Sequence, residues 1–237
     1  MPVTADALRD EYADAVERMA GRALDALAGG GGAVVFPDPP STAELAAVRV
    51  LGPDVFAPAL VDARPPDPET ARVVASAFRV FPPATASGSG PGSGSAATVA
   101  AWRDWATGQL AARAGAPMPA PVPAPDRPPQ ADGWQAWSLA MAQLSSLALP
   151  GLDGPVHDAA RHDPLALSRG AVRAMLRRDH RTAVRLTRWL AWSECAGVPL
   201  PVEVPPMLLR LRQVGDGSAR SALEMALADR LSAGGPQ

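Results

Sequence analysis

AVRAMLRRDHRTAVRLTRWL, residues 171–190, is the stretch whose reading decides the fold. On a helix at about 100° per residue, Val172, Leu176, Ala183, Leu186 and Leu190 gather on one narrow face. Arg173, Arg177, Arg181, Arg185 and Arg188 lie on the opposite side. This period belongs to an amphipathic helix, because a strand alternates its faces at every residue. Asp179 lands on the apolar face, which predicts a break there, with Asp179 capping the second of two abutting helices. The apolar stripe is expected to turn inward, since that face gains most from leaving water. The arginines are expected to face solvent or meet carboxylates, because burying an unpaired guanidinium is very costly. Only Asp163 and Asp179 stand near them in sequence.

The helical pattern continues on both sides. Downstream, Val198–Val204 is Pro-bounded and extended, Pro206–Gln213 is a short helix, and 218–232 carries Leu223, Leu227 and Leu231 at helical spacing. Upstream, short helices are predicted over 153–162 and after Asp163-Pro164. Asp132 is placed as the cap of a helix through Leu149, with Trp134, Trp137, Met141, Leu144 and Leu147 on its apolar face. Residues 132–237 hold 17 of the 24 Leu and four of the six Trp, so the main core is expected there. The expected fold is mainly α, with a C-terminal helical bundle or helix-pair array over 132–237.

A smaller N-terminal helical module is expected over 1–83, with short extended segments such as Ala33–Phe36. Its first helix, 5–28, carries Leu8, Tyr12, Ala15, Met19, Ala23 and Leu27 on one stripe. Ser41-Thr42-Ala43-Glu44 is a capping-box pattern, and Asp67-Pro68-Glu69 opens another helix running to about Phe81. A linker region, 84–131, separates module and bundle. Its Gly/Ser-rich part, 84–97, has nothing to bury and is expected to be flexible. A helix follows at 98–114 with Trp102, Trp105 and Leu110. Residues 115–130 carry seven Pro and are expected to form an extended polyproline spacer.

Composition bounds the function. All 22 basic residues are Arg, and the chain lacks Lys, Asn and Ile. Those three have AT-rich codons, so the bias points to a high-GC genome and weakens the Arg content as a sign of phosphate recognition. Without Lys, a Walker loop and Schiff-base chemistry are excluded. The charge is polarised. Residues 161–190 hold eight Arg against two Asp, a local +6 in a chain of net charge −2. The first helix is acidic, with Asp6, Asp10, Glu11, Asp14 and Glu17. The single Cys excludes an intrachain disulfide. No apolar stretch approaches the length of a membrane span, and a cytoplasmic location is the expectation.

The remaining chemistry-bearing residues are sparse. His157, His162 and His180 are the only histidines. Asp158 and His162 share a helix face, but a metal site needs three or more convergent ligands, so no metal and no cofactor are expected. Cys195 sits near a helix C-terminus, where a thiolate is disfavoured. Trp189 and Trp192 follow Arg185 and Arg188 at i+4, which permits guanidinium–indole packing. Core anchoring is the plainer use of such indoles. The residues set apart as partner-binding are Arg173, Arg177, Arg181, Arg185, Arg188, Trp189 and Trp192. The function expected is a non-enzymatic protein-interaction module, an adaptor, scaffold component or accessory subunit, whose partner is another protein with an acidic surface. The acidic first helix of the same chain is an alternative contact for the Arg face. Nucleic acid bound by 171–190 is the competing partner, and an enzyme with a dispersed site is the third reading.

Overall fold

The computed structural model describes residues 5–30, 32–83, 94–125, 127–128 and 131–234. The chain is mainly α-helical, and the described residues contain no strand. The N-terminal part holds α1 (Ala5–Ala28), α2 (Thr42–Leu51), α3 (Ala57–Val61) and α4 (Pro68–Val80). Then come α5 (Gly94–Arg113), α6 (Trp134–Gln143), α7 (Pro155–His162) and α8 (Pro164–Leu176). The chain ends on α9 (His180–Cys195), α10 (Val204–Gln213) and α11 (Ala219–Ala233). Two 3-10 turns, Gly52–Val55 and Ser145–Leu147, extend α2 and α6.

Local chemistry sets most of the boundaries. Ser41 and Glu44 form a complete capping box at the start of α2. Asp67, Asp163 and Asp179 each accept a backbone N–H from the first turn of the helix that follows, with Pro at the start of α4 and α8. Asp179 does break the Arg-rich stretch, and Arg178 before it turns the chain at φ +59°. The start of α6 differs from expectation. Gly133, at φ +83°, occupies the cap position and Asp132 makes no cap.

α9 is the central helix. It packs against α8, α11, α10 and α6, and its residues from Leu186 to Ser193 are all buried. α11 bridges α9 to α1, which also packs on α2. One apolar cluster runs from Ala15 on α1 through Leu51 and Trp102 to Trp189 and Leu231, so all three expected segments contribute to it. Glu17 adds a polar tie by accepting the Ala219 N–H of α11 at 2.7 Å. Residues Ala5–Asp14 of α1 are exposed except for the half-buried Tyr12, which packs against the core cluster.

The linker region departs from a free tether in two places. Residues 94–97 belong to α5, and the rest of the Gly/Ser stretch, 84–93, lies outside the described residues. Residues 115–125 have neither helix nor strand, as expected, but they pack on the body. Met118 and Val122 rest on the core cluster. Val122 comes so close to Gly108 on α5 that a Cβ there would meet its Cγ2 at 3.3 Å. The Trp102 indole N–H donates to the Arg127 carbonyl at 3.1 Å. A Gly-faced helix leaves room for a Pro-rich strap, and the strap satisfies a buried indole.

The expected inward stripe of α8 is reversed. Leu176 is 81% exposed and Val172 40% exposed, whereas Leu167, Gly170, Ala171 and Ala174 are buried. The reason is close helix approach. A Cβ on Gly170 would lie 2.5 Å from the Ser138 Cβ of α6 and 3.0 Å from Leu186 Cδ1 of α9. Only a small residue fits at Gly170, and Val172 and Leu176 fall on the outer side. On α9 the expected stripe of Ala183, Leu186 and Leu190 is buried.

Candidate functional site

The seven residues singled out in sequence separate into three environments. Arg173 is half-buried, and Arg177 and Arg181 are exposed. The Arg173 guanidinium sits 5.8 Å from the Trp134 ring centre. Arg185 is half-buried. Arg188, Trp189 and Trp192 are buried, contrary to the expectation of a solvent-facing Arg face. The two indoles serve the core: they meet edge to face at 5.5 Å and enclose His157. The Trp189 N–H donates to the Met141 carbonyl at 2.9 Å. Arg161, not Arg185 or Arg188, lies over Trp192, at 5.0 Å from the ring centre.

Arg188 is tolerable inside because three acceptors surround it. Its Nη2 donates to Asp54 Oδ1 at 2.7 Å, Nη1 to Glu224 Oε2 at 2.9 Å, and Nε to the Ala148 carbonyl at 3.2 Å. Ser145 Oγ donates to the other Glu224 oxygen at 2.7 Å. Burial alone would depress the Arg188 pKa, but Asp54 and Glu224 outweigh it and hold the group well above its ordinary value. Burial raises Asp54, opposed by Arg188 and reinforced by Glu224. Burial also acts on Glu224, yet Arg188 and Arg185 overcome it and lower this carboxyl. The network ties the turn after α2 to α9 and α11, across 134 and 36 residues of sequence.

Sequence reasoning missed both counterions. The available signal was a lone carboxylate inside an apolar run: Asp54 in LGPDVFAPAL and Glu224 in SALEMALA. A charge in such a run is buried only when paired.

Three more arginines surround this network. Arg185 Nε lies 3.6 Å from Glu224 Oε1. Arg220 sits one turn before Glu224 on α11, and its charge acts on Asp54, Arg103 and Arg185. Arg103 of α5 reaches over Gly52, where a Cβ would lie 3.8 Å from both its Nε and its Nη2. Gly52 itself adopts φ +61°, so Gly suits both the turn and the close approach. The Arg103 Nη2 is buried with no hydrogen-bond partner. Its sequence neighbour Asp104 is already engaged by Arg49, at 2.5 and 2.9 Å. Burial, reinforced by Arg220 and Arg185, pushes the Arg103 pKa down to about 10, so the group stays charged at neutral pH.

The second surface feature is the outer face of α8. Leu165, Arg169, Val172 and Leu176 follow at spacings of four, three and four and form one stripe. Arg173, Arg177 and Arg178 flank it, and Leu139 of α6 adds a 50% exposed apolar side chain on the neighbouring helix. Among the described residues no carboxylate pairs with Arg169, Arg173, Arg177, Arg178 or Arg181. The acidic helix α1 packs on α2 and α11 instead.

The other chemistry-bearing residues serve structure. His157 Nε2 meets the Leu147 carbonyl and His180 Nε2 the Leu211 carbonyl, both at 2.9 Å. His162 is exposed. Among the described residues no group of three or more His, Cys, Asp or Glu is placed to hold a metal ion. Cys195 ends α9 and borders an open cleft of about 340 Å³ with Pro150, Asp153, Arg161 and Leu231. No helix among the described residues is long and apolar enough to cross a membrane. None of the family models, curated proteins or solved structures compared with this chain matches it.

Proposed function

We propose that the chain is a protein-interaction module, an adaptor, scaffold component or accessory subunit, whose docking face is the outer side of α8. The observation that carries this reading is the exposure of Leu176, at 81%, in line with Leu165 and Val172 and among arginines without counterions. An apolar stripe in water is a liability that a partner removes. Unpaired guanidinium groups beside the stripe select an acidic partner and speed encounter with it. The occupant that fits is an acidic amphipathic helix, laying its apolar side on Leu165, Val172 and Leu176 and its carboxylates on the flanking arginines. Nucleic acid is the less favoured occupant, because large aliphatic side chains at the centre of the face offer phosphates nothing.

The test uses the full chain with a photoreactive residue at position 176, irradiated in extract of its native host. The crosslinked protein is identified, and its acidic segment is titrated against purified wild-type and Leu176→Asp protein. Binding that weakens at least tenfold in the variant and falls with added salt supports the reading. Crosslinks confined to nucleic acid, or a segment that binds both proteins equally, overturn it.

A further inference from the structure

We propose that Arg103, Arg185 and Arg220 form a binding site for a phosphoryl group, built over the buried Asp54–Arg188–Glu224 network. The site is separate from the α8 face and stands whether or not that face docks a partner.

Charge is the first observation. Four guanidinium groups, Arg103, Arg185, Arg188 and Arg220, share two carboxylates, Asp54 and Glu224. Glu224 accepts from Arg188 and Ser145, and Asp54 accepts from Arg188. Arg185 approaches Glu224 only at 3.6 Å, beyond a good hydrogen bond. Asp104 is held by Arg49 in a two-point contact. Among the described residues the cluster therefore keeps two uncompensated positive charges. Native interiors do not usually leave such an excess without purpose, since like charges in a partly desolvated site repel strongly.

The unsatisfied donor is the second observation. Arg103 Nη2 is buried and bonds to nothing among the described residues, although buried donors are nearly always paired. Arg103 is held there by design of the turn. Gly52 has no side chain to push it away, and Thr107 Oγ1 closes the same space at 3.2 Å from the position of a Gly52 Cβ. Arg103, Arg185 and Arg220 come from α5, α9 and α11, so an anion among them would join three helices. Guanidinium forks match the oxygens of a phosphoryl group. An excess charge of two matches its dianionic form. Each nitrogen of Arg188 already has a partner and the side chain is fully buried, so it supports the site electrostatically and does not contact the ligand.

The inference predicts a sign that a purely structural cluster would not show. Without ligand, Arg103, Arg185 and Arg220 repel one another, so Arg220→Gln relieves repulsion. In low-salt, phosphate-free buffer this variant melts at or above the wild-type temperature. With orthophosphate the wild type rises and overtakes it, because binding to the folded state alone stabilises it. Calorimetric titration with orthophosphate gives a saturable site in the wild type, weakened at least tenfold in Arg220→Gln and in Arg103→Gln. The control variant Arg9→Gln, on the exposed start of α1, binds as the wild type does. Glycerol phosphate is the second probe. Tighter binding than orthophosphate points to a phosphate ester as the natural ligand, and weaker binding to the free ion. Two results overturn the proposal. One is a phosphate response no larger than that of chloride at equal ionic strength. The other is an Arg220→Gln protein that is destabilised in phosphate-free buffer, which makes the arginine a structural partner.

Discussion

Arg188→Met is the substitution that tests the buried network most directly. Met keeps an unbranched apolar stem but removes the guanidinium and every donor. Asp54 Oδ1, Glu224 Oε2 and the Ala148 carbonyl each lose a partner at 2.7, 2.9 and 3.2 Å. Removing one side of a buried pair costs about 3–5 kcal/mol, because the stranded charge remains in the interior. In a chain of this length roughly 1 kcal/mol moves Tm by about 2–4 °C, so the variant should melt about 6–20 °C lower at pH 7.

The pH dependence sharpens the test. In the wild type Glu224 is lowered, so it adds stability above its unfolded pKa that is lost as pH falls through its folded pKa. Asp54 is raised and acts oppositely, favouring the fold below its unfolded pKa and losing that contribution as pH rises. Without Arg188, burial raises both carboxyls. The variant then loses stability as pH rises through both groups, and its deficit against the wild type is larger at pH 7 than at pH 5. Arg188→Met/Asp54→Asn/Glu224→Gln removes the stranded charges and should recover at least half of the loss. Urea unfolding followed by circular dichroism measures all three proteins at both pH values. A single variant within about 1 kcal/mol of wild type, or a triple variant no better than the single, refutes the assignment of this network as a buried ion triad.

His157 is buried and its pKa lowered, chiefly by desolvation. The unfolded chain therefore takes up a proton first as pH drops, and stability is lost below the unfolded value of about 6.5; His157→Gln should flatten that slope in a series of unfolding curves. Gly170→Ala would gain about 1 kcal/mol on helix propensity alone, but its Cβ would collide with Ser138. Net destabilisation of about 1–3 kcal/mol is expected, with part of it restored by Ser138→Gly in thermal melts of the double variant. Arg177→Gln/Arg181→Gln should leave chemical stability within about 0.5 kcal/mol per site, since both side chains are exposed and unpaired. Residues 132–237 expressed alone should still melt cooperatively, though at lower temperature, as they retain α9 and most of the Leu-rich core but lose Asp54; a melt without a transition would show that the shared core needs α1 and α2.

What was legible in the sequence was the part governed by nearest neighbours. The capping box at Ser41, the Asp-Pro starts of α4 and α8 and the break at Asp179 are contacts over three or four residues. What was not legible depends on partners far along the chain. The expectation that the Arg side of 171–190 faces solvent assumed helices lying on a surface. α9 instead runs through the centre, where a helix is buried all round and a polar side no longer marks solvent. Arg188 could then only be placed by knowing Asp54 and Glu224, which sequence leaves among apolar neighbours without naming a partner. α8 failed for a related reason. Size as well as hydrophobicity chose its inner face, because α6 and α9 approach Gly170 too closely for Leu or Val. The same two effects generate both candidate sites. Close approach at Gly170 leaves Val172 and Leu176 on the outer side to make the α8 face, and close approach at Gly52 brings Arg103 to a network in which arginines outnumber carboxylates. Tight backbone packing, and not a motif, has placed the chemistry of this protein.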